Sequence, residues 1–276
     1  MAGPAIPTVE TDGTHRWRTS ARLREHVREI WAWRQGAGPP GTHQGVPGGH
    51  LTVVLCLDGD VEVLKAPDPA RGPGRFVSSV AGLHDAPAVL ATGPAQTGMQ
   101  LELTWRGARA LLGLPAGELA GDVVDLAVLL PGLDALLDRL HGTPTWPARF
   151  ALLDAWLCDL LDTRERPSVP APELARAWDR LMSTGGTARV EDLAADVGWS
   201  RRHLGARFRA ETGLGTKTAA RLIRFERALG LLRSPARPGL AEVAAVCGYA
   251  DQPHLARDFR DLAGLTATEW LAERSL

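Results

Sequence analysis

The sequence predicts an α+β protein, in which a small antiparallel β-domain with packed helices precedes an all-helical C-terminal domain. Short strand-like segments with β-branched or alternating apolar residues lie between residues 25 and 105. Stripes of leucine at helical spacing follow between residues 133 and 161. After a proline-rich segment, one pattern of apolar residues and glycines occurs twice. We therefore divide the chain into an N-terminal domain (1–163), a linker (164–172) and a C-terminal domain (173–276).

Composition narrows the class of protein. The 276 residues are 45% hydrophobic and carry a net charge of −1, so bulk charge indicates no polyanionic partner. The three cysteines are far apart and form no CxxC pair, which argues against a disulfide framework and against a structural zinc site. No cofactor is expected. There is no signal-peptide pattern and no uncharged apolar run long enough to cross a membrane. We expect a soluble, cytoplasmic protein without a membrane partner.

Several segments of the N-terminal domain are predicted as strands. Residues 50–57 and 61–64 flank the turn signal Asp58-Gly59-Asp60, which predicts a β-hairpin. Further strands are expected at 75–80, 88–91 and 98–105, and residues 20–34 are expected to begin as a helix and continue as a strand.

The helices that follow each carry one apolar stripe. A short helix is expected at 107–112, and two longer ones carry Leu133, Leu136, Leu137 and Leu140, and then Leu153, Trp156, Leu157, Leu160 and Leu161. These stripes either pack against the β-domain or form a dimer interface, and the spacing leaves both open.

The internal repeat is the most informative feature. Leu193, Ala194, Gly198, Leu204 and Phe208 correspond to Val243, Ala244, Gly248, Leu255 and Phe259, at offsets of 50 and then 51 residues. In each copy a helix ends at a glycine, an aromatic residue follows, and a second helix starts at a capping residue, Ser200 or Asp251. Leucine and phenylalanine four residues apart then bury that second helix. This is the helix-turn-helix plan, whose second helix fits the major groove of DNA.

The segment between the copies supports this interpretation. Residues 216–233 contain no proline and predict one helix about 27 Å long. Two recognition helices held at that distance can enter successive major grooves, which recur about every 34 Å. Residues 198–237 contain ten Lys or Arg against two acidic residues, which suits neutralisation of phosphates.

With these motifs, residues 172–274 resemble the DNA-binding domain of the AraC/XylS family of transcription regulators. The resemblance includes Arg224, Arg227, Ala228 and Leu232 in the linking helix, and Cys247, Gly248, Tyr249 and His254 in the second copy. Two departures stand out. Family members usually have a proline and an aromatic residue where this chain has Thr216 and Ala219, which leaves the start of the linking helix uncertain. Pro253 occupies a position that is often polar, so the second recognition helix is expected to read fewer bases.

The resemblance implies a set of DNA-contacting residues. On the first recognition helix they are Ser200, Arg201, Arg202, Gly205, Ala206 and Arg209, and on the second they are Gln252, His254 and Arg257. Arg202 is the preferred base reader, because arginine can donate two hydrogen bonds to guanine. Phosphate contacts are expected from Thr216 and Lys217, with Ser200 and Arg201 as further candidates.

The N-terminal domain of such regulators often senses a ligand or dimerises, and many are cupin-like barrels. A small-molecule effector and a homodimer are therefore expectations from the resemblance, as is contact with RNA polymerase at a promoter. An effector pocket could involve Trp31, Trp33, Met99 and Trp105, with Leu55 and Leu101, although an ordinary hydrophobic core is the favoured alternative. His43, His50 and His84 lack the spacing of metal ligands, so no metal is expected.

The residues thus predict a regulator that is not an enzyme and that binds double-stranded DNA. One alternative is a repair protein that accepts an alkyl group on Cys56, although no pattern around this cysteine would activate it. Another is a nucleoid protein with weak sequence preference.

Overall fold

The computed structural model describes residues 14–164, 170–236 and 238–272. Most of the predicted linker (165–169) and Arg237, one of the ten basic residues counted above, therefore lie outside the described residues. Ten strands occupy the N-terminal domain: β1 (His15–Trp17), β2 (Val27–Gln35), β3 (Gly41–Gly45), β4 (Leu51–Asp58), β5 (Val61–Lys65), β6 (Gly74–Phe76), β7 (Ser78–Ala81), β8 (Ala88–Thr92), β9 (Gln96–Leu103) and β10 (Val123–Asp125).

The helices follow the strands and continue to the end of the described chain. They are α1 (Trp105–Gly107), continued by a π-type turn at Ala108–Leu112, then α2 (Leu133–Gly142), α3 (Trp146–Thr163), α4 (Pro172–Ser183), α5 (Val190–Asp196), α6 (Arg201–Thr212), α7 (Thr216–Leu232), α8 (Leu240–Val246), α9 (Gln252–Ala263) and α10 (Ala267–Ala272). None of the described helices is long and apolar enough to cross a membrane. The α+β class predicted from the sequence is confirmed.

The strands form two antiparallel sheets. One has the order β1-β2-β9-β4-β7-β10 and the other β3-β8-β5-β6. The hairpin predicted across Gly59 is wrong, because β4 pairs with β7 and β9 whereas β5 pairs with β6 and β8. The turn, where Gly59 has a φ of +80°, carries the chain from one sheet to the other. A local turn signal cannot distinguish these two outcomes.

The predicted strand at 75–80 is likewise two strands in different sheets. β6 pairs with β5, and after Val77 the chain enters β7, which pairs with β4. The helix expected at the start of residues 20–34 is replaced by turns before β2. The predicted strands at 50–57, 61–64, 88–91 and 98–105 agree with β4, β5, β8 and β9 to within two residues, whereas β1, β3 and β10 were not predicted.

The six-stranded sheet buries both of its faces. On one face Val53, Val80 and Leu101 join a core with Leu133 of α2 and Leu153 of α3. Leu136, Leu140 and Leu157 are also buried, while Leu137, Trp156, Leu160 and Leu161 pack partly exposed against this core. The apolar stripes therefore pack on the β-domain, which is one of the two alternatives, and the dimer interface stays an expectation. The opposite face looks towards the four-stranded sheet.

The two domains are joined by ion pairs between their helices and strands. Arg109, after α1, donates two hydrogen bonds of 2.7 Å to Glu211 of α6, and Arg106 donates to Asp179 of α4 at 3.0 Å. The first of these pairs is largely shielded from solvent, whereas Asp179 is exposed. The N-terminal domain is thus bound to the first repeat.

The most deeply buried contact involves Glu226, near the middle of α7. Its carboxylate accepts a hydrogen bond from Arg28 Nη1 at 2.5 Å and another from the Gly49 backbone N–H at 2.9 Å. Arg28 Nη1 also lies 3.1 Å from His50 Nδ1, and Glu102 Oε1 lies 3.4 Å from His50 Nε2. Burial raises the pKa of Glu226, but the combined effects of Arg28, His50 and the Gly49 N–H outweigh it and hold this pKa below its ordinary value.

The pKa of Glu102 is shifted in the opposite direction from that of Glu226. Burial raises the pKa of Glu102 to about 8 and outweighs the attraction of Arg28, whose Nε lies 3.8 Å from the Glu102 carboxyl. The negative charge of Glu226 raises this pKa further. Burial also lowers the pKa of His50 to about 4, so its imidazole is neutral at physiological pH. The buried cluster consequently contains one ion pair, a neutral imidazole and a carboxylic acid.

This protonation state predicts how stability depends on pH. Between about pH 4.5 and pH 8 the unfolded chain carries ionised Glu102 whereas the folded chain keeps the proton. The folded state binds more protons, so this residue makes the free energy of unfolding fall as pH rises, by at most about 1.4 kcal/mol per pH unit. Glu102→Gln removes the effect. Denaturation of both proteins should show the advantage of Glu102→Gln growing between pH 5.5 and pH 7.5, by about 1–3 kcal/mol. A difference independent of pH would contradict the assignment.

Candidate nucleic-acid interface

The two repeats fold into closely matching helix-turn-helix units. α5 and α6 form the first unit, α8 and α9 form the second, and α7 joins them. The apolar positions of the repeat are buried: Leu204 and Phe208 on α6, and Leu255 and Phe259 on α9, are at most 1% exposed. The predicted helix-turn-helix pairs and the linking helix are confirmed, and α7 begins at Thr216 despite the missing proline and aromatic residue.

The turn of each unit has the same backbone geometry. Gly198 and Gly248 have φ values of +70° and +76°, in the left-handed region that favours glycine. The next residue, Trp199 or Tyr249, donates its backbone N–H to the carbonyl of Ala194 or Ala244, in both cases at 2.9 Å. The shared hydrogen bond closes the first helix and directs the chain into the second.

The recognition helices begin at the predicted caps. Ser200 Oγ accepts the backbone N–H of His203 at 3.2 Å, and Asp251 Oδ1 accepts that of His254 at 2.7 Å. The two histidines occupy the same position of the repeat, and each imidazole meets the corner aromatic ring edge-on, with Trp199 at 4.6 Å and Tyr249 at 5.1 Å between centroids. The packing of His203 against Trp199 was not predicted from the sequence, although the 51-residue offset between His203 and His254 could have indicated it.

The first recognition helix presents most of its predicted contacts to solvent. Ser200, Arg201, Arg202, Ala206 and Arg209 are exposed, and Gly205 is half-buried. Arg201 Nη1 donates to Glu191 of α5 at 2.8 Å, although both side chains remain largely exposed. Such an exposed pair contributes little to stability, so Arg201 can exchange Glu191 for a phosphate at small cost.

The second recognition helix presents fewer groups. Gln252 and Arg257 are exposed, but His254 is half-buried against Tyr249 and its Nδ1 lies 3.4 Å from the backbone nitrogen of Ala250. Pro253 lies in the first turn of α9, where its missing N–H costs no helical hydrogen bond. It corresponds to Arg202 in the first unit, so the two surfaces are chemically unequal.

One predicted phosphate contact disagrees with the structure. Thr216 is only 4% exposed, and its hydroxyl is buried at the start of α7, so its side chain does not reach the surface. A threonine at a helix start has the same local pattern whether it faces solvent or the core. Lys217, the other predicted contact, is exposed.

The positive charge available to DNA is smaller than the residue count indicated. Arg221 donates to Asp258 and Asp261 of α9, at 2.7 and 2.5 Å. Arg224 lies over the ring of Tyr249, and Arg233 lies over that of Trp270. These three arginines hold the second unit against α7. Of the basic residues counted between 198 and 237, the exposed ones among the described residues are Arg201, Arg202, Arg207, Arg209, Lys217 and Arg227.

Of the residues considered for an effector pocket, Leu55 and Leu101 line a cavity of only about 20 Å³ in the core, and Trp31, Trp33, Met99 and Trp105 are not among its lining residues. Met99, Trp105, Leu55 and Leu101 belong to the core between the sheet and the helices. Trp31 is 6% exposed on β2, and Trp33 is half-buried beside Gly98. Met99 and Trp105 are therefore residues of the hydrophobic core, as the favoured alternative predicted. A larger cavity, of about 120 Å³, lies on the other face of the sheet.

The described residues give little support to alkyl transfer on Cys56 or to a metal site. Burial raises the pKa of the Cys56 thiol to about 12, so this cysteine lacks the exposed thiolate that alkyl transfer needs. Within the described residues, no group of three or more His, Cys, Asp or Glu side chains has a geometry that could hold a metal ion.

Comparison with known proteins identifies the C-terminal domain. A family model described as a helix-turn-helix domain matches residues 193–273. The transcriptional activator RhaR of Pectobacterium atrosepticum is 26% identical over 171 residues, which are 57% of this chain and 60% of that relative. The C-terminal domain is a helix-turn-helix domain.

Solved structures extend the likeness of fold to both domains. ToxT from Vibrio cholerae, crystallised with an unsaturated fatty acid, has a TM-score of 0.56 at 9% identity and covers 94% of this chain and 98% of its own. Another ToxT crystal structure has a TM-score of 0.54 at 8% identity, covering 91% and 99%. At this identity the likeness concerns the fold alone. The helix-turn-helix domain thus follows a β-domain whose fold is like that of ToxT.

The turn glycines of the helix-turn-helix domain give a matched pair of variants. Gly198→Ala should lower the free energy of unfolding by about 1–2 kcal/mol. The left-handed backbone alone opposes the added methyl group, because no heavy atom lies within 4 Å of it. Gly248→Ala should cost more, because its methyl group would also lie 2.6 Å from Cγ2 of Thr187. Chemical denaturation checks the order, and equal losses would contradict the packing described for the second turn.

Proposed function

We propose that this protein binds promoter DNA sequence-specifically through both helix-turn-helix units and regulates transcription. The repeated unit is the observation that supports this proposal most strongly. Its two recognition helices have equal length and matching caps and turns, and one 17-residue helix joins the two units. That helix is about 25 Å long, which suits entry into successive major grooves.

The proposed partners follow from this role. Double-stranded DNA is the primary partner, and RNA polymerase is the expected target of a regulator at a promoter. The N-terminal domain is proposed to control DNA binding through a small effector or through a homodimer. Its contacts with α6 and α7 support control, because they reach both a recognition helix and the helix that joins the units. The ToxT structure with a bound fatty acid supports effector binding on this fold. DNA binding places the site of action in the cytoplasm.

The first unit is proposed to supply most of the base specificity. Arg202 is exposed in the first turn of α6, where a recognition helix meets base edges. Its counterpart in the second unit is Pro253, which has no donor. Lys217 lies outside both recognition helices, at the start of α7, and is suited to a phosphate contact.

Selection from random duplexes, carried out with the wild type and three variants, tests this proposal. The wild type should recover a motif. Arg202→Ala should relax the base preference at one position of the motif and weaken binding to the selected duplex by about 1–3 kcal/mol. Lys217→Ala should weaken binding to all duplexes alike and keep the motif. Arg139→Ala, on the exposed side of α2, is the matched control and should bind as the wild type does.

Two outcomes would contradict the proposal. Recovery of no motif by the wild type would favour a nucleoid protein that binds through the phosphate backbone. Equal loss of sequence preference in Arg202→Ala and Lys217→Ala would contradict the separation of base and phosphate contacts.

A further inference from the structure

The first recognition helix contains a buried acidic residue that the second lacks. Glu211 lies near the end of α6, and at the 51-residue offset of the repeat its counterpart in α9 is Leu262. Glu211 is only 6% exposed, and Leu262 is fully buried. A buried carboxylate needs a partner that compensates its charge, whereas a buried leucine does not. The first unit therefore depends on a contact that the second unit can do without.

The partner of Glu211 belongs to the N-terminal domain. Arg109 donates one hydrogen bond from Nε to Oε1 of Glu211 and another from Nη2 to Oε2, each at 2.7 Å. This bidentate arrangement fixes the direction of both groups as well as their distance. The two side chains are 14% and 9% exposed, so solvent screens the ion pair only weakly. The pair thus connects α6 to the N-terminal domain in one orientation.

Backbone packing holds the same end of α6. The 3₁₀ turn Ala116–Leu119 lies against the last turn of this helix. A Cβ atom added to Gly117 would lie 2.7 Å from the carbonyl oxygen of Ala210 and 2.9 Å from the backbone nitrogen of Gly213. These distances leave room only for a glycine, so the two backbones are in direct contact.

A run of aromatic rings connects the same two regions. The ring centroid of Trp105, in α1, lies 6.2 Å from that of Trp178 in α4. The ring of Trp178 in turn lies 6.0 Å from that of Phe208 in α6. Trp105 and Phe208 are at most 1% exposed. An ion pair, a backbone contact and packed rings therefore all restrain α6 against the N-terminal domain.

Helix geometry relates this anchor to the proposed base reader. Nine residues separate Arg202 from Glu211, which is two and a half turns, so the two side chains lie on opposite sides of α6. Their Cα atoms are about 14 Å apart along the helix axis. A tilt of about 10° at the anchor would therefore move Arg202 by about 2 Å, whereas hydrogen-bond lengths vary over only about 0.5 Å.

The second recognition helix is held from a different side. Arg221 of α7 donates to Asp258 and Asp261 of α9, at 2.7 and 2.5 Å. In α6 the position of Asp258 is occupied by Arg207, and that of Asp261 by an alanine, Ala210. The two helices therefore have different anchors. The N-terminal domain holds α6, and the linking helix α7 holds α9.

We propose that Arg109 is a positioning residue for the first recognition helix, and that base reading by the first unit therefore depends on the N-terminal domain. Arg109 acts through Glu211, from the side of α6 opposite Arg202, and sets the direction of Arg202 without contacting DNA. The effect on base reading rests on the proposed function, whereas the restraint on α6 does not.

Hydrogen exchange of the full chain, measured without DNA, tests the restraint on α6. Arg109→Gln removes the charge and the bidentate contact, and Arg221→Gln is the matched variant for the second unit. Because loss of a largely buried ion pair eases local opening, the amides of α6 should exchange at least about tenfold faster in Arg109→Gln, relative to those of α9. Arg221→Gln should show the reverse. Arg75→Gln, which removes an exposed pair with Glu62, should leave both helices unchanged.

Hydroxyl-radical footprinting on the selected duplex tests the consequence for base reading. The wild type should protect two segments, and the one weakened by Arg202→Ala belongs to the first unit. Arg109→Gln should weaken protection of that segment at least about fivefold and spare the other, and Arg221→Gln should do the opposite. A substitution that merely destabilises the protein lowers the folded fraction and weakens both segments alike.

A double-mutant cycle separates positioning from stability. If Arg109 orients Arg202, then Arg109→Gln should weaken the first segment by a smaller factor in the Arg202→Ala background than in the wild type, because the oriented contact is already absent. Arg109→Lys keeps the charge without the bidentate geometry and should have an intermediate effect. Cooperative thermal unfolding shows whether each variant is folded, and Arg109→Lys gives the same comparison where Arg109→Gln does not fold.

Three results would overturn the inference: unchanged exchange in α6, equal weakening of both segments, or effects of the Arg109 and Arg202 substitutions that simply multiply. A wild type that protects no segment contradicts the proposed function instead, and hydrogen exchange alone then decides the role of Arg109.

Discussion

The ion pair between Arg28 and Glu226 is the contact on which the arrangement of the two domains depends. It joins β2 to α7 in a region where both side chains are largely buried, and the Gly49 N–H completes the coordination of the carboxylate. Breaking a buried pair by removing one partner leaves an uncompensated charge, at a cost of about 3–5 kcal/mol. The contact therefore fixes the position at which α7 packs against the β-domain. Arg109 and Glu211 fix a second point, on α6.

The position of α7 in turn determines how the two recognition helices are presented. The second unit is held to α7 through Arg221, which reaches Asp258 and Asp261 on α9. Arg224 and Phe225 of α7 also contact the second unit, at Tyr249 and Phe259. One helix therefore contacts both the β-domain and the second unit. The inequality between Arg202 and Pro253 is the basis of the proposal that the first unit reads most of the bases.

Much of the C-terminal domain could be predicted from the sequence, because its signals are local and occur twice. Glycine, cap, leucine and phenylalanine recur at fixed spacing, and the structure places each in the expected role. The β-domain was harder, since Gly59 and Val77 join strands of different sheets and nothing local distinguishes such a crossing from a hairpin. Gln100 and Glu102 alternate with Met99 and Leu101 and so resemble solvent-facing residues, but they face the interior between the domains. Glu226 resembled an isolated acid in a basic segment, and only its partner 198 residues away reveals its role.

Hydroxyl-radical footprinting of the full chain on its selected duplex tests the central claim most directly. If both helix-turn-helix units enter the major groove and α7 sets their separation, two protected segments should appear on one face of the DNA, about 10 base pairs apart from centre to centre. The segment contacted by the first unit should lose protection in Arg202→Ala, while the other keeps it. A single protected segment, or even protection along the whole duplex, would contradict the account.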